Sequence, residues 1–498
     1  MADTLVRRFA GWHWAKRGLL LAVMGAIAGL GHAPVDWPIL TVLALAVFLA
    51  FHRGVPDTRT AAWQGWAFGV GYFAVTLRWI VSPFLVHIET DGWMAPFALI
   101  FMAGGAALFW ALAGGLAQRL RPNSMTLLAI ALVLVEAARG LILTGFPWGL
   151  LGHVLIDTQF AHLAAYLGPH ALTALVCLAA LGLAKAATGA LRDGAIIVLL
   201  VAGLWPVLAP TYRAAPDDAP MVRLIQPNAP QEQKWDPAFS GIFFDRQLEY
   251  TGAGDAPDLI VWPESAIADL LNYATPYFEQ MSDAARGAPV IVGMNRRDEN
   301  LYYNSFVLLG RGGLIDTLYD KQHLVPLGEY FPGGELLASV TGVTQFASSH
   351  GGGFSDGATA RTMQIPGIGL IRPLICYEGI FAEEITTDVR PRAMVLITND
   401  AWFGKDAGPY QHLAQARLRA IEQGMPMVRV ANTGVSAMID GHGRITGQIA
   451  LNTAGYLDVP LPDLLDATVY TRFGDIPLLT VMVLLGAGLA LQRPRKTS

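Results

Sequence analysis

The chain has 498 residues, of which 53% are hydrophobic and only 15% charged, and its formal net charge at pH 7 is −5. Soluble globular proteins carry about 25% charged residues. This composition excludes an ordinary soluble enzyme, a disordered protein and a nucleic-acid-binding protein that depends on basic charge. It leaves a membrane protein with one sizeable water-soluble part, because residues 1–210 contain 20 charged residues whereas residues 211–475 contain 50.

Long stretches without charge recur in the first 210 residues, and one more apolar run lies close to the C terminus. About 20 apolar residues in helical conformation cross the ~30 Å hydrocarbon core of a bilayer. We therefore predict eight transmembrane helices. The second is the shortest, and a buried helix of a soluble domain is its alternative. The eight segments are 18–32, 37–52, 61–80, 94–117, 124–143, 160–184, 194–211 and 476–492.

Lys and Arg residues are divided unequally between the two sides of this arrangement. Thirteen lie on the side that holds both chain ends, whereas three, Arg78, Arg139 and Arg213, lie on the other side. Because cytoplasmic loops carry the excess of Lys and Arg, we predict that both termini are cytoplasmic and that residues 211–475 lie outside the cytoplasm. The first apolar segment has no clear small-residue cleavage site and is interpreted as a retained helix.

From Met221 onwards, short β-rich runs alternate with helical patterns, which predicts an α/β layered fold. We predict seven transmembrane helices in residues 1–212, a water-soluble domain in 213–472, and the eighth helix with a basic tail in 473–498. The predicted strands are 221–226, 258–264, 289–294, 303–309, 313–321, 369–378, 393–400 and 425–434, and the predicted helices of this domain include 239–250, 266–286 and 411–423.

Three residues with chemically useful side chains end predicted strands of the soluble domain: Glu264, Lys321 and Cys376. Each has a structural alternative. Glu264 is also placed to cap the next helix, Lys321 to be a solvated edge residue, and Cys376 to be an inert buried thiol. Cys376 precedes a predicted strand-to-helix turn that directs its side chain out of the sheet. Cys177, the other cysteine, lies in an apolar segment, so we expect no disulfide.

The sequence around these three residues resembles a known family. Trp262-Pro263-Glu264, Lys321 and Cys376-Tyr377-Glu378 resemble the Glu-Lys-Cys triad of the carbon–nitrogen hydrolase (nitrilase) superfamily. Residues 321–332, 398–404 and 411–419, together with seven helices before the domain and one after it, resemble the apolipoprotein N-acyltransferase family. The resemblance implies an αββα sandwich that faces the periplasm above the bacterial inner membrane. It also implies transfer of a fatty acyl chain from a phospholipid to the amino group of the diacylglyceryl-cysteine that begins an apolipoprotein.

The resemblance implies a role for each member of the triad. Glu264 is the general base that takes the thiol proton of Cys376 and passes it to the departing lysophospholipid. Lys321, with backbone N–H groups just after Cys376, stabilises the tetrahedral oxyanion. Its charge also lowers the pKa of the thiol, so that the pair favours the thiolate. The thioester on Cys376 divides the transfer into two steps that use one site.

Further residues are implied in the same way. Glu329 and Glu378 orient Lys321 and the Cys376 turn, with a surface salt bridge as the alternative for each. Trp235 and Tyr377 line the substrate site. Trp148 is either a substrate-site residue or an interfacial anchor. Apolar residues that cover the acyl chain are expected at Phe243, Phe244, Leu336, Leu337 and Phe346.

The implied partners are a phospholipid acyl donor, a diacylglyceryl apolipoprotein acceptor and the membrane lipids, with no nucleic acid. We expect no cofactor and no metal, because the eleven His residues have no paired ligand spacing and no Gly-rich phosphate motif follows a strand.

Two other functions remain open at this point. One is a membrane-bound amidase or nitrilase that uses the same triad but lets water attack the acyl-enzyme. The triad does not distinguish these enzymes, although eight helices favour a lipid substrate. The other is a transporter or sensor with a periplasmic ligand domain. Transporters usually place ionisable residues within the membrane, and only Glu136 and Arg139 are candidates.

Overall fold

The computed structural model describes residues 8–9, 11–330 and 353–492. The chain forms two compact units: the first contains residues 1–211, 406–422 and 467–498, and the second contains residues 212–405 and 423–466. The helix Ala407–Gln423, which the sequence assigns to the soluble domain, groups with the first unit apart from its last residue. The basic tail at 493–498 and the predicted chain-covering residues Leu336, Leu337 and Phe346 lie outside the described residues.

Each of the eight segments predicted to cross the membrane contains a helix. By length and composition, three described helices are able to span a bilayer, or four if one pair bent by 49° forms a single span. The prediction of eight spans is therefore met only in part. The three helices are Ile88–Leu120, Met125–Thr144 and Pro169–Ala187, the bent pair is Thr58–Thr76 with Arg78–Leu85, and Pro38–His52 and Ile476–Leu491 are shorter apolar helices. The two remaining segments form Trp14–Gly29 and Leu191–Val207.

Small residues allow close helix packing in the first unit. A Cβ atom on Gly25 would collide with the carbonyl of Phe68, and one on Gly71 would collide with the carbonyl of Ala22. The helices Trp14–Gly29 and Thr58–Thr76 therefore touch through their backbones. Such contacts are typical of membrane helices, whose association depends on packing because lipid is as apolar as the side chains.

The buried charges of the first unit are paired within it. Glu136 and Arg139 form an ion pair of 3.0 Å. Glu136 also accepts the indole N–H of Trp110 at 2.8 Å, and Arg139 donates to the carbonyls of Phe146 and Trp148 at 2.6 and 2.9 Å. A buried ion pair is tolerated when its remaining hydrogen-bonding groups are satisfied. Through the bonds of Arg139, this pair stabilises the loop after the helix Met125–Leu141.

The described residues of the second unit form two six-stranded sheets, in the orders β12-β1-β2-β3-β4-β5 and β11-β10-β9-β8-β7-β6. The central neighbours β1-β2-β3 and β7-β8-β9 are parallel, and the outer pairs are antiparallel. The strands are β1 Met221–Gln226, β2 Leu259–Val261, β3 Val290–Asp298, β4 Leu301–Leu309, β5 Ile315–Asp320, β6 Met363–Ile365, β7 Gly369–Ile375, β8 Ala393–Thr398, β9 Met427–Ala431, β10 Ser436–Ile439, β11 Ile445–Ile449 and β12 Gly455–Pro460.

One core lies between the sheets and a second covers the outer face of the first sheet. The inner core joins residues such as Leu224 of β1 and Val395 of β8. The outer core packs Ile260 of β2 against Phe244 and Phe278, which belong to the helices Pro237–Gly252 and Thr275–Ala285. The resulting helix–sheet–sheet layering accounts for three layers of the predicted αββα sandwich. Glu264, Lys321 and Cys376 all follow the carboxyl ends of strands, at β2, β5 and β7.

Candidate active site

Glu264 lies in a tight turn after β2 and is buried. One carboxylate oxygen accepts the side-chain N–H of Asn304 at 2.8 Å, and the other accepts the backbone N–H of Asn399 at 2.7 Å. The turn presses against β3: a Cβ atom on Gly293 would lie 2.6 Å from the Glu264 Cα. Glycine at 293 is thus required by close approach, and the carboxylate is fixed from two sides. The alternative of a helix cap is wrong, because the next long helix begins only at Thr275.

Lys321 follows β5 directly and is buried, so it is not the solvated edge residue considered above. Its ammonium contacts both oxygens of Glu329, each at 2.8 Å. Glu329 also accepts the backbone N–H of Val325 at 2.8 Å. Asn304 connects the two acidic groups, because its side-chain N–H lies 3.4 Å from Glu329 as well as 2.8 Å from Glu264.

Cys376 follows β7 and begins a short 3₁₀ turn, Cys376–Ile380, which confirms the predicted change of direction after the strand. Its φ of +49° lies in the left-handed region, where a non-glycine residue is strained. Such strain is frequently found where a side chain must be held in an unusual direction for function. The residue is 7% exposed.

The charges of Glu264 and Lys321 both act on the Cys376 thiol. Burial, followed by the Glu264 carboxylate, raises the pKa of Cys376 above its ordinary value, while Lys321 and a hydrogen bond with Thr398 oppose this change. Burial alone would lower the pKa of Lys321, but Glu329, Glu264 and Cys376 outweigh it and raise that pKa. The expectation that the Lys–Cys pair favours the thiolate is therefore wrong. A thiol with a raised pKa needs a base to lose its proton.

Glu378 joins the Lys321 loop to the Cys376 turn. One oxygen accepts the hydroxyl of Tyr319 at 2.6 Å and the backbone N–H groups of Gln322 and His323 at 2.8 and 3.3 Å. The other accepts the backbone N–H of Ile375 at 2.8 Å. The side chain is fully buried. Neither Glu378 nor Glu329 is a surface salt bridge, since both bind groups that adjoin the reactive side chains.

A polar network at the ends of β8 and β9 supports Asn399, the backbone donor to Glu264. The Asn399 side chain donates to Gln231 at 2.8 Å and accepts from Asn432 at 2.9 Å. The neighbouring Asp400 forms a fully buried ion pair of 2.6 Å with Arg429. These bonds fix the backbone N–H that points at Glu264.

Two aromatic residues occupy different environments. Trp235 is 42% exposed and lies with its ring 5.6 Å from the Lys234 ammonium. Tyr377 is buried and contacts the rings of His323 and Phe381 edge-on, at 5.5 and 5.0 Å. Trp235 is therefore available to a substrate. Phe243 and Phe244, expected to cover an acyl chain, are both buried in the protein itself.

Trp148 belongs to the first unit and is only 1% exposed. Its indole N–H donates to Gln411 at 2.7 Å, and its ring lies 4.5 Å from that of Trp79 and 5.7 Å from that of His412. A ring enclosed in this way is not an interfacial anchor in contact with lipid head groups.

Three residues of the site escaped sequence reasoning: Asn304, Asn399 and Lys234. Lys234 is buried, and its ammonium donates to the main-chain carbonyl of Glu264 at 3.0 Å. Asn304 is the second residue of the predicted strand 303–309, where only its failure to fit an apolar pattern marks it. Among the described residues, no group of three or more His, Cys, Asp or Glu side chains is arranged to hold a metal ion.

The sequence matches two family descriptions. Residues 247–469 match "Carbon-nitrogen hydrolase", and residues 24–182 match "Apolipoprotein N-acyltransferase N-terminal domain". Among solved structures, a CN-hydrolase superfamily protein from Xanthomonas campestris is 20% identical, with a TM-score of 0.37 over 53% of this chain and 97% of that one. An amidase from Nesterenkonia sp. is 14% identical, with a TM-score of 0.35 over 55% and 98% of the two chains.

Similarity to curated relatives extends over nearly the whole chain. The apolipoprotein N-acyltransferase of Rhodopseudomonas palustris is 35% identical and aligns with 97% of this chain and 96% of its own length. That of Caulobacter vibrioides is 34% identical over 99% and 97% of the two chains. That of Brucella suis is 34% identical over 91% and 90%. The chain belongs to the apolipoprotein N-acyltransferase family, and the residues that match the carbon–nitrogen hydrolase description include most of its second unit.

Proposed function

We propose that this protein transfers a fatty acyl chain from a phospholipid to the N-terminal amine of S-diacylglyceryl-cysteine in apolipoproteins, through a thioester on Cys376. The observation that carries the proposal is a buried thiol on which the charges of Glu264 and Lys321 both act, in a chain with full-length relatives named apolipoprotein N-acyltransferase. Phospholipid, apolipoprotein and membrane lipids are its partners.

In the first half-reaction, the Cys376 sulfur attacks the ester carbonyl of the phospholipid. Glu264 accepts the thiol proton, and its bonds to Asn304 and Asn399 keep the receiving carboxylate in place. Lys321 stabilises the oxyanion of the tetrahedral intermediate. When the intermediate collapses, the C–O bond breaks, Glu264 protonates the departing lysophospholipid oxygen, and the acyl chain remains as a thioester.

In the second half-reaction, the amine of the apolipoprotein cysteine attacks the thioester. Glu264, again ionised, takes a proton from the attacking nitrogen, and Lys321 stabilises the second oxyanion. The C–S bond breaks to give the amide, and Glu264 gives the proton it took from the nitrogen to the departing sulfur. The exposed face of Trp235 lines the entrance for these substrates.

A fatty acyl chain is costly to carry through water, which favours an enzyme anchored in the membrane. Moving a chain of about 16 carbons through water would cost ~12 kcal/mol at ~0.8 kcal/mol per CH₂ group. We infer that the eight helical segments cross the inner membrane, with both termini cytoplasmic and the catalytic domain periplasmic. The excess of Lys and Arg on the side of the termini supports this topology. Exposed apolar side chains on the helices, among them Leu199, Leu200 and Leu484, support contact with lipid.

A competition between acceptors separates the transferase from the hydrolase alternative. The purified protein is given a phospholipid with a labelled acyl chain, with or without a diacylglyceryl-cysteine peptide, and the labelled amide and free fatty acid are quantified. The proposal predicts labelled amide that requires the peptide amine, with little free fatty acid in its absence. Steady release of fatty acid without peptide, and no amide with it, would instead identify a membrane-bound hydrolase.

A further inference from the structure

A second lysine lies beside the proposed triad. Lys234 ends the short helix Gln231–Lys234 and is 6% exposed. Its ammonium donates at 3.0 Å to the main-chain carbonyl of Glu264 and lies 5.6 Å from the centre of the Trp235 ring. Lysine is almost never buried without a partner that stabilises its charge. The reason for its burial must therefore lie in this site.

The groups that compensate for the burial of Lys234 are Glu264 and Cys376. Burial lowers the pKa of Lys234 to about 8, and the charges of Glu264 and Cys376 act in the opposite direction. The sequence neighbours Glu232 and Asp236 are exposed to solvent. Below about pH 8, the described site thus holds two ammonium groups, Lys321 bound to Glu329 and Lys234 bound to the Glu264 turn.

The hydrogen bond of Lys234 restrains the same turn that directs the Glu264 carboxylate. Ser265, the next residue, has a φ of +48°, and the turn lies tightly against Gly293. A charge-assisted hydrogen bond is roughly twice as strong as a neutral one. A protonated Lys234 therefore holds the Glu264 turn more firmly than a neutral amine does.

We propose that Lys234 is a positioning residue for acyl transfer, and that its ammonium holds the Glu264 turn through the hydrogen bond to the Glu264 main-chain carbonyl. This inference rests on the proposed function, since it assigns Glu264 the role of base. Lys234 also lines a cavity with Ser240, Phe243, Gln247 and Asn432.

The test compares K234R, K234M and wild type in the rate constant for acyl-enzyme formation on Cys376, measured from pH 6.5 to 9.5 with fluorescent phospholipid. K405M, which removes an exposed lysine charge of the same unit, is the matched control. At pH 7, K234M should lower the rate constant by about tenfold, or ~1.4 kcal/mol in the barrier, and K405M should leave it unchanged. K234R should stay within about threefold of wild type, because arginine keeps its charge over this range.

The sign of the pH effect follows from the lysine. Above about pH 8, wild type loses the Lys234 charge whereas K234R keeps it, so the ratio of the K234R rate constant to that of wild type should rise by about tenfold between pH 7 and 9.5. Taking a ratio removes the titration of the other groups. A K234R-to-wild-type ratio that stays constant with pH would overturn the proposal, and this result does not depend on whether K234M folds. A K234M rate constant equal to that of wild type would also overturn it. The C376S variant separates a failure of the proposed function from a failure of the role of Lys234. Retained turnover in C376S would refute the proposed function. A constant ratio together with an inactive C376S would refute only the role of Lys234.

Discussion

Replacing Glu378 tests most directly how the site is held together, because this residue connects the Lys321 loop to the Cys376 turn. Its two oxygens accept four hydrogen bonds between 2.6 and 3.3 Å, three on Oε1 and one on Oε2. In E378Q, one oxygen becomes an N–H donor that faces another donor. The variant keeps the size of the side chain and changes only its charge and hydrogen bonding.

The magnitude follows from these bonds. A hydrogen bond to a charged group contributes ~1.5–3 kcal/mol, so the loss of one and the weakening of the others should lower the free energy of unfolding by about 3 kcal/mol. Because the bonds fix both Lys321 and Cys376, we expect kcat for peptide acylation to fall about a hundredfold, or ~2.7 kcal/mol in the barrier. Unfolding in denaturant and single-turnover acylation measure the two effects separately.

A matched control separates lost stability from lost positioning. Asp440 is also a buried carboxylate that accepts two backbone N–H groups, from His442 at 3.0 Å and Arg444 at 2.9 Å, in the β10–β11 turn. D440N should lower stability while leaving kcat within about twofold of wild type. If E378Q loses stability as D440N does but keeps wild-type kcat, the reasoning that Glu378 couples the two catalytic elements is refuted.

Three further predictions concern the thiol, the turn and the topology. In a C177A background, E264Q should abolish turnover. It should also speed alkylation of Cys376 by iodoacetamide several-fold at pH 7.5, because the Glu264 charge raises the pKa of the thiol. Slower alkylation would show that this charge does not act on the sulfur. G293A should lower kcat and stability, since its Cβ would lie 2.6 Å from the Glu264 Cα. G241A, where a Cβ meets nothing within 4 Å, should lower neither, because alanine is the better helix former in Pro237–Gly252; equal losses in both variants would contradict the close-approach argument. Asp298 is exposed, so D298C should react with a membrane-impermeant maleimide in intact spheroplasts. N123C, on the side predicted to be cytoplasmic, should react only after lysis. The reverse pattern of labelling would contradict the predicted topology.

Much of the secondary structure follows from local pattern. All eight strands predicted between residues 221 and 434 are present, and the helix predicted over 239–250 runs from Pro237 to Gly252. The predicted helix 266–286 shrinks to Thr275–Ala285, with a proline in its first turn. The preceding residues instead follow β3, through bonds such as Ala266 N–H to the carbonyl of Gly293 at 2.8 Å. Tertiary contacts outweigh helical propensity there.

Local pattern marked the site only where a residue ends an apolar strand, and the family resemblance added Trp235, Glu329, Tyr377 and Glu378. Glu264, Lys321 and Cys376 carry that signal, whereas Asn304 and Lys234 act through contacts with residues 40 and 30 positions away in the sequence. The thiol pKa was mispredicted for a related reason. Sequence suggested a cation beside Cys376, but the size of the burial effect depends on packing between two sheets, which no local pattern reports.

The central claim is that the Cys376 sulfur carries the acyl chain between the two substrates. It is tested most directly by incubating the pure protein with phospholipid alone and measuring its intact mass. We predict an increase of one fatty acyl group that maps to Cys376, is removed by hydroxylamine and disappears when a diacylglyceryl-cysteine peptide is added. Turnover without any such adduct, or an adduct that persists in C376S, would contradict the account.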